Sequence, residues 1–333
     1  MNFFGNVKVI RDSSCALLFG VLLGACSVEQ DFEGGGIDGT GYSAGNDSGY
    51  ASFYVTDAPI DEAKQVIVAF TAIEVISVDG AVTIFEFPEE KKIDLLQLQG
   101  TASETLLNNI ELAVGEYQSI RLQVNAKQDD IYDSWIEMND GTQFELNIPS
   151  GDQSGLKINH HFSISKDESL SFTIDFDLRK SLSLNENKQL VNLRPVLRIV
   201  SNDEVGHVKG WVSTPIASLL CDDLSSYTGV VYLLKGFDAY SKNNFSLDDH
   251  ITSSLVKFNA TEYQYEIGFI EPGNYTVFYS CDVDSAAAEK ALTVDIGSRS
   301  NKNKQLHISD SAMTYSVNVI IEKAATSIAD ITL

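Results

Sequence analysis

The stretch SLSFTIDFDL (residues 169–178) decides the fold class. Leu170, Phe172, Ile174, Phe176 and Leu178 occupy every second position, with Ser171, Thr173, Asp175 and Asp177 between them. Successive side chains of a β-strand point to opposite faces. The alternation therefore predicts a half-buried strand, apolar residues inward and both aspartates toward solvent. The same period returns along the chain. VNLRPVLRI (191–199) sets Val191, Leu193, Pro195, Leu197 and Ile199 against Asn192, Arg194 and Arg198. YQSIRLQV (117–124) aligns Ile120, Leu122 and Val124, and TQFELNI (142–148) aligns Phe144, Leu146 and Ile148. QVIVAFTAIEVI (65–76) is nearly continuously apolar, which predicts a central strand. About nine strands over residues 51–200 fit an antiparallel β-sandwich. One short helix is expected, around residues 101–108. Asp175 and Asp177 are ion-pair candidates with Arg194 and Arg198 if their strands are neighbours.

SNDEVG (201–206) interrupts the pattern, which restarts at HVKGWV and continues through GVVYLLKGF, YQYEIGF, NYTVFYSCDV and YSVNVIIEK. A second antiparallel β-sandwich is expected over residues 207–333, after a linker at 201–206. The two halves share a Gly-x-Tyr element at the start of a strand, Gly115-x-Tyr117 and Gly273-x-Tyr275, with the glycines supplying the turn. Together with VKGWV (208–212), this element resembles transthyretin-like and carboxypeptidase-regulatory-like sandwiches.

The amino terminus has the features of an export signal. Lys8 and Arg11 precede CALLFGVLLGA (15–25), a short apolar core ending in small residues. Leu23-Gly24-Ala25-Cys26 resembles the bacterial lipobox. That resemblance implies cleavage between Ala25 and Cys26, a signal peptide over residues 1–25, and acyl chains on Cys26 as the membrane partner. More than one acyl chain exceeds the marginal binding of a single chain. Ser27 rather than aspartate follows, which by resemblance to such lipoproteins points to the outer membrane, facing periplasm or cell surface. Residues 26–50 are rich in Gly, Asp and Ser and predict a flexible tether. No later stretch is long and apolar enough to span a bilayer. An exported chain meets an oxidising compartment, so Cys221 and Cys281 are expected to pair. Closing that loop is worth about 4 kcal/mol in the chain-entropy model.

The 333 residues include 47 acidic and 23 basic side chains, a net charge of −24. Such a surface repels nucleic acid and anionic lipid. The first unit resembles the domain of unknown function 4382 family of bacterial and archaeal exported proteins. YVTDAPID (54–61), VGEYQSIRL (114–122), IPSGDQSGLKI (148–158), IDFDLRKSL (174–182) and LRPVLRIV (193–200) carry the likeness, in the family's order. The resemblance implies an exported β domain, often on lipoproteins, and no catalytic residues.

Motif by motif, the chemistry is sparse. GYSAG (41–45) matches the nucleophile-elbow pattern, but Ser43 sits in the tether without the strand and helix that the elbow needs. No HExxH, CxxC or Walker pattern occurs, and no cofactor is expected. Asp57 precedes Pro59, so a turn is expected in which Asp57 accepts backbone N–H groups and Pro59 fixes the corner. The functional alternative makes Asp57 and Asp61 calcium ligands, without EF-hand spacing. His160 falls on the apolar face with Leu156, Ile158, Phe162 and Ile164, as a core histidine. Lys209, Asn318 and Glu266 could form a pilin-like isopeptide, but the alternation turns Lys209 and Asn318 outward, away from the buried carboxylate the reaction needs. The expected function is therefore a lipid-anchored, non-enzymatic binding, adhesion or structural role with a glycan or protein ligand. Loops at the sandwich ends, PSGDQSG (149–155) among them, are plausible contact sites. The alternatives are a hydrolase of envelope polysaccharide using surface carboxylates, and a calcium-stabilised adhesion module.

Overall fold

The protein is described from a computed structural model. It describes residues 7–10, 47–58, 60, 63–127, 129, 131–149, 155–185, 190–221, 223–225, 228–239, 250–281 and 315–332. Ala25, Cys26, the tether up to residue 46, Ser43, Pro59, Asp61 and most of the 149–155 loop lie outside the described residues.

The chain is all-β, as the alternation predicts. The first unit contains β1 (Val7–Ile10), β2 (Ser48–Ala58), β3 (Ala63–Ser77), β4 (Val82–Asp94), β5 (Glu104–Ala113), β6 (Gly115–Asn125) and β7 (Trp135–Met138). It continues with β8 (Gln143–Asn147), β9 (Leu156–Ile164), β10 (Ser169–Asp177), β11 (Leu182–Asn185), β12 (Leu190–Leu193) and β13 (Leu197–Ser201). One sheet runs β13-β10-β2-β5, and the larger one runs β1-β4-β3-β7-β8-β12-β11, with β6 joining β3 to β9. Val7–Ile10 therefore sits at the edge of β4, within the segment expected to be a signal. Strand β3 is central, bonded to β4, β6 and β7, which is why its sequence is apolar almost throughout. Most ladders are antiparallel. Strands β2 and β10 pair in parallel, from Ser169 opposite Tyr50 to Asp177 opposite Ala58.

Between these sheets lies one core. Phe172 of β10 stacks on Phe53 of β2 at 5.6 Å and meets Phe162 of β9 at 4.9 Å, and Phe162 stacks on Tyr117 at 5.1 Å. Burying an aromatic or large aliphatic side chain is worth about 1.5–3 kcal/mol, so this cluster dominates the unit's stability. His160 packs edge-on against Phe172. The helix expected at 101–108 does not form. Residues from Glu104 onward make β5, an antiparallel edge strand against β2 that buries Leu106 and Leu112 in the core. Tertiary pairing overrides local propensity there.

The second unit contains β14 (Gly206–Val212), β15 (Val230–Lys235), β16 (His250–Leu255), β17 (Lys257–Phe258), β18 (Tyr263–Ile270), β19 (Gly273–Ser280), β20 (Tyr315–Ile321) and β21 (Thr326–Ile328). Its sheets run β17-β18-β14-β21 and β16-β15-β19-β20. Val208 and Val212 face Val231, Leu233, Ile267 and Val277 in its core. Cys221 ends the helix Thr214–Leu220 and is disulfide-bonded to Cys281 just beyond β19, the pairing expected from the sequence. Lys209 and Asn318 both point outward from different sheets, and Asn318 is hydrogen-bonded to Asp238 and Thr276, so the isopeptide arrangement is not assembled.

The repeated Gly-x-Tyr element is a tyrosine corner in both units. Tyr117 Oη donates to the Ala113 carbonyl at 2.8 Å, and Tyr275 Oη donates to the Glu271 carbonyl at 2.7 Å. In each case the phenol reaches back four residues and fixes the turn that Gly115 or Gly273 begins. Tyr117→Phe and Tyr275→Phe are each expected to cost about 1 kcal/mol. The readout is a shift in the urea midpoint with no change in slope. No shift in either variant would mean that the corner is held by packing alone.

Candidate functional site

Two places bring polar chemistry together, and both lie where the units meet. The first is built on β2, β10 and β13. In β10 the core-facing residues are Phe172, Ile174 and Phe176, which turns Asp175 and Asp177 to the opposite face. Sequence alternation places that face in solvent. The second unit covers it instead, and both aspartates are buried. Their burial is thus a consequence of docking, which alternation within one strand does not register.

Asp175 lies opposite Arg198 in the β10–β13 ladder, and Arg198 Nη2 reaches Asp175 Oδ2 at 2.6 Å. The other guanidinium arm, Nη1, donates to the Phe269 carbonyl of the second unit at 2.6 Å. Asp177 caps the single helical turn Leu178–Ser181, and its partner is Lys180, at 3.2 Å between Nζ and Oδ2. Lys180 Nζ also donates across the joint to the His250 carbonyl at 2.6 Å. Each cation therefore neutralises a first-unit aspartate and ties a second-unit carbonyl. Arg194 is exposed and makes no ion pair with either aspartate.

Asp57 occupies the penultimate position of β2, and the turn expected there is not its environment. Its carboxyl is buried at the joint, and no side-chain donor hydrogen-bonds either oxygen. Burial, then the charges of Asp175 and Asp177, push it well above the usual carboxylate range; the Leu178 N–H and Arg179 oppose this. Burial also raises Asp177, against the pull of Lys180. Desolvation disfavours the charged form of any carboxyl. The space beside Asp57, bounded by Asp175, Thr252, Ser253 and Glu266, is about 10 Å³, room for about one water and for no polymer. Among the described residues no group of three His, Cys, Asp or Glu side chains is placed to hold a metal ion.

The second place is an open groove of about 660 Å³ on the outer face of the β18–β14 sheet. Val208 and Val212 face the core, so Lys209 and Trp211 between them project outward, as the alternation requires. Across the ladder Lys209 faces Glu266 and Trp211 faces Gln264. Gln99 and Gly100 of the first unit form the opposite wall, and Ile328 of β21 lies at the rim. Glu266 Oε1 accepts from Thr101 Oγ1 at 3.2 Å, and the Trp211 backbone N–H donates to Asp330 Oδ1 at 3.3 Å, so the acidic groups are held in place. At the same joint Gly268 passes so close to Gly100 that a Cβ there would lie 2.4 Å from the Gly100 carbonyl oxygen. Only glycine permits that approach. An outward tryptophan was legible from the alternation of VKGWV, but the wall supplied by residues 99 and 100 was not.

Residues 48–195 match the model of a family described as "Domain of unknown function (DUF4382)", a description that names no activity. No curated protein matches the chain. Among solved structures, the chain is similar to a leucine-rich repeat protein from Bacteroides thetaiotaomicron VPI-5482, with 12% identity, 86% of this chain and 26% of that chain covered, and a TM-score of 0.21. It is also similar to the Bacillus anthracis TIE protein, with 8% identity, 86% and 34% covered, and a TM-score of 0.18. A third is GBS52, the minor pilin of Streptococcus agalactiae, with 8% identity, 84% and 94% covered, and a TM-score of 0.18. The chain spans 26% and 34% of the lengths of the first two.

Proposed function

We propose that this chain, which carries a DUF4382-type region at residues 48–195, is a lipid-anchored envelope protein with a non-enzymatic binding role. Acyl chains on Cys26 hold it at the outer membrane, and the tether carries the two β units away from the lipid. One observation supports the non-enzymatic reading above the others. Among the described residues, the carboxyls pushed above the usual range, Asp57 and Asp177, are sealed in the joint between the units and not exposed in a cleft. A general acid must reach its substrate within hydrogen-bonding distance, directly or through a water. The open groove, in contrast, presents an aromatic side chain and fixed polar groups, the composition of a ligand site.

Two measurements test the reading. Cells fed an alkyne-tagged palmitate should label the wild-type chain, and Cys26→Ala should lose the label and the membrane association. Incubation with a panel of envelope polysaccharides should give no turnover. A chain that stays labelled after Cys26→Ala is not anchored there. Turnover abolished by a single Asp→Asn change would replace the binding role with that of a hydrolase.

A further inference from the structure

We infer that the groove over β14 and β18 binds a neutral oligosaccharide, with the Trp211 indole against a sugar ring and the groups around it taking the hydroxyls. The inference deepens the binding role proposed above and rests on it. The groove's volume, about 660 Å³, lies within the range of small-ligand sites. Trp211 stands half-exposed on its floor, a flat apolar surface with a polar edge. A sugar ring is the matching object, because one face carries C–H groups and the rim carries hydroxyls.

The charges around the indole select among ligands. Lys209 and Lys257 bring two ammonium groups, and Glu266 and Asp330 bring two carboxylates, so the lining is balanced. Neither lysine forms an ion pair among the described residues, and each keeps its three donors for a ligand. One oxygen of Glu266 and one of Asp330 are already engaged, by Thr101 and by the Trp211 backbone, which fixes the direction of the other. A hydroxyl both donates and accepts, so a polyhydroxylated ligand can satisfy cations and carboxylates together. A single-sign ligand leaves half of them unmatched. A polyanion is further disfavoured by the net charge of −24. An extended peptide is disfavoured by topology. Around Trp211 the backbone is already taken, since Trp211 pairs with Gln264, Gln264 with Lys257, and the Trp211 carbonyl accepts from the Ile331 N–H, so no free edge for strand addition is offered there.

The full chain with Trp135→Phe leaves Trp211 as the one fluorophore of its kind, since the sequence has 2 tryptophans. Titration with cellotetraose, maltotetraose and chitotetraose should give a saturable change in its emission for at least one of them. In the native background, calorimetry with that sugar should show binding weakened at least about tenfold by Trp211→Ala. Lys209→Ala and Gln264→Ala, on exposed positions, serve if Trp211→Ala alters folding, and should each weaken binding several-fold. Indifference to all three sugars overturns the inference, as does binding that survives these substitutions. Crosslinking of an envelope protein through Lys209, with indifference to sugars, removes the oligosaccharide but keeps the binding role. Cleavage of a tetraose removes both.

Discussion

Replacing Arg198 with alanine is expected to lower the stability of the folded chain by about 3–5 kcal/mol, the cost of leaving a buried charge without its partner. The pair is short, at 2.6 Å, and mostly screened from water, with side-chain exposures of 26% for Arg198 and 8% for Asp175. Without the guanidinium, Asp175 sits beside Asp57 and Asp177, and the joint becomes a cluster of carboxyls. The second unit also loses the hydrogen bond to the Phe269 carbonyl. The expected result is a lower urea midpoint together with faster proteolysis at the boundary near residues 201–206. Arg198→Ala combined with Asp175→Ala should cost less than the sum of the two single changes, because the double variant leaves no unpaired charge. A loss under about 1 kcal/mol for Arg198→Ala would place the pair among ordinary surface ion pairs and overturn its role in docking.

Asp57→Asn is expected to act in the opposite direction and to depend on pH. The folded chain holds the Asp57 proton well above the value near 3.8 at which an unfolded chain releases it. Between those two values the folded state binds one more proton than the unfolded state, so wild-type stability falls as pH rises through that window. The slope is about 1.4 kcal/mol per pH unit for one group. Above the folded value the loss is complete and constant. Asparagine has nothing to titrate at this position and keeps nearly the same shape. The variant should match the wild type near pH 4, exceed it increasingly as pH rises above that, and keep a constant margin once the folded-state carboxyl has ionised, read as melting temperature against pH. Asp177, also raised by burial, contributes a slope of the same sign in both proteins. An Asp57→Asn chain that melts lower than wild type at every pH would mean that the carboxylate is charged and satisfied in the fold.

These two positions show how far a sequence reading reaches. The strand β10 was legible because a period of two needs only its own residues: Phe172, Ile174 and Phe176 must share a face, and Asp175 and Asp177 must share the other. The Asp175–Arg198 pairing followed from polar faces on neighbouring strands. The error lay in assigning the aspartate face to water, since alternation gives the two faces and not what covers each. Asp57 failed for a related reason. An Asp-Ala-Pro sequence has the chemistry of a turn, but β2 runs on through Asp57 because its parallel ladder with β10 extends to Ala58. The helix expected near residue 101 gave way to β5 because edge pairing with β2 buried Leu106 and Leu112. The groove was half legible: Trp211 had to face outward, and only the docked units set Gln99 and Gly100 opposite it.

By itself, then, the sequence determined the all-β class, the repeated Gly-x-Tyr entry to a strand and the cysteine pair, since each is a local pattern or a covalent possibility. The tertiary structure decided that two aspartates and a lone Asp57 are dry, that Arg198 and Lys180 each serve both units, and that Trp211 lies in a groove and not on a flat sheet. Those properties depend on water removed when distant surfaces meet, and no window of consecutive residues encodes which surfaces will do so.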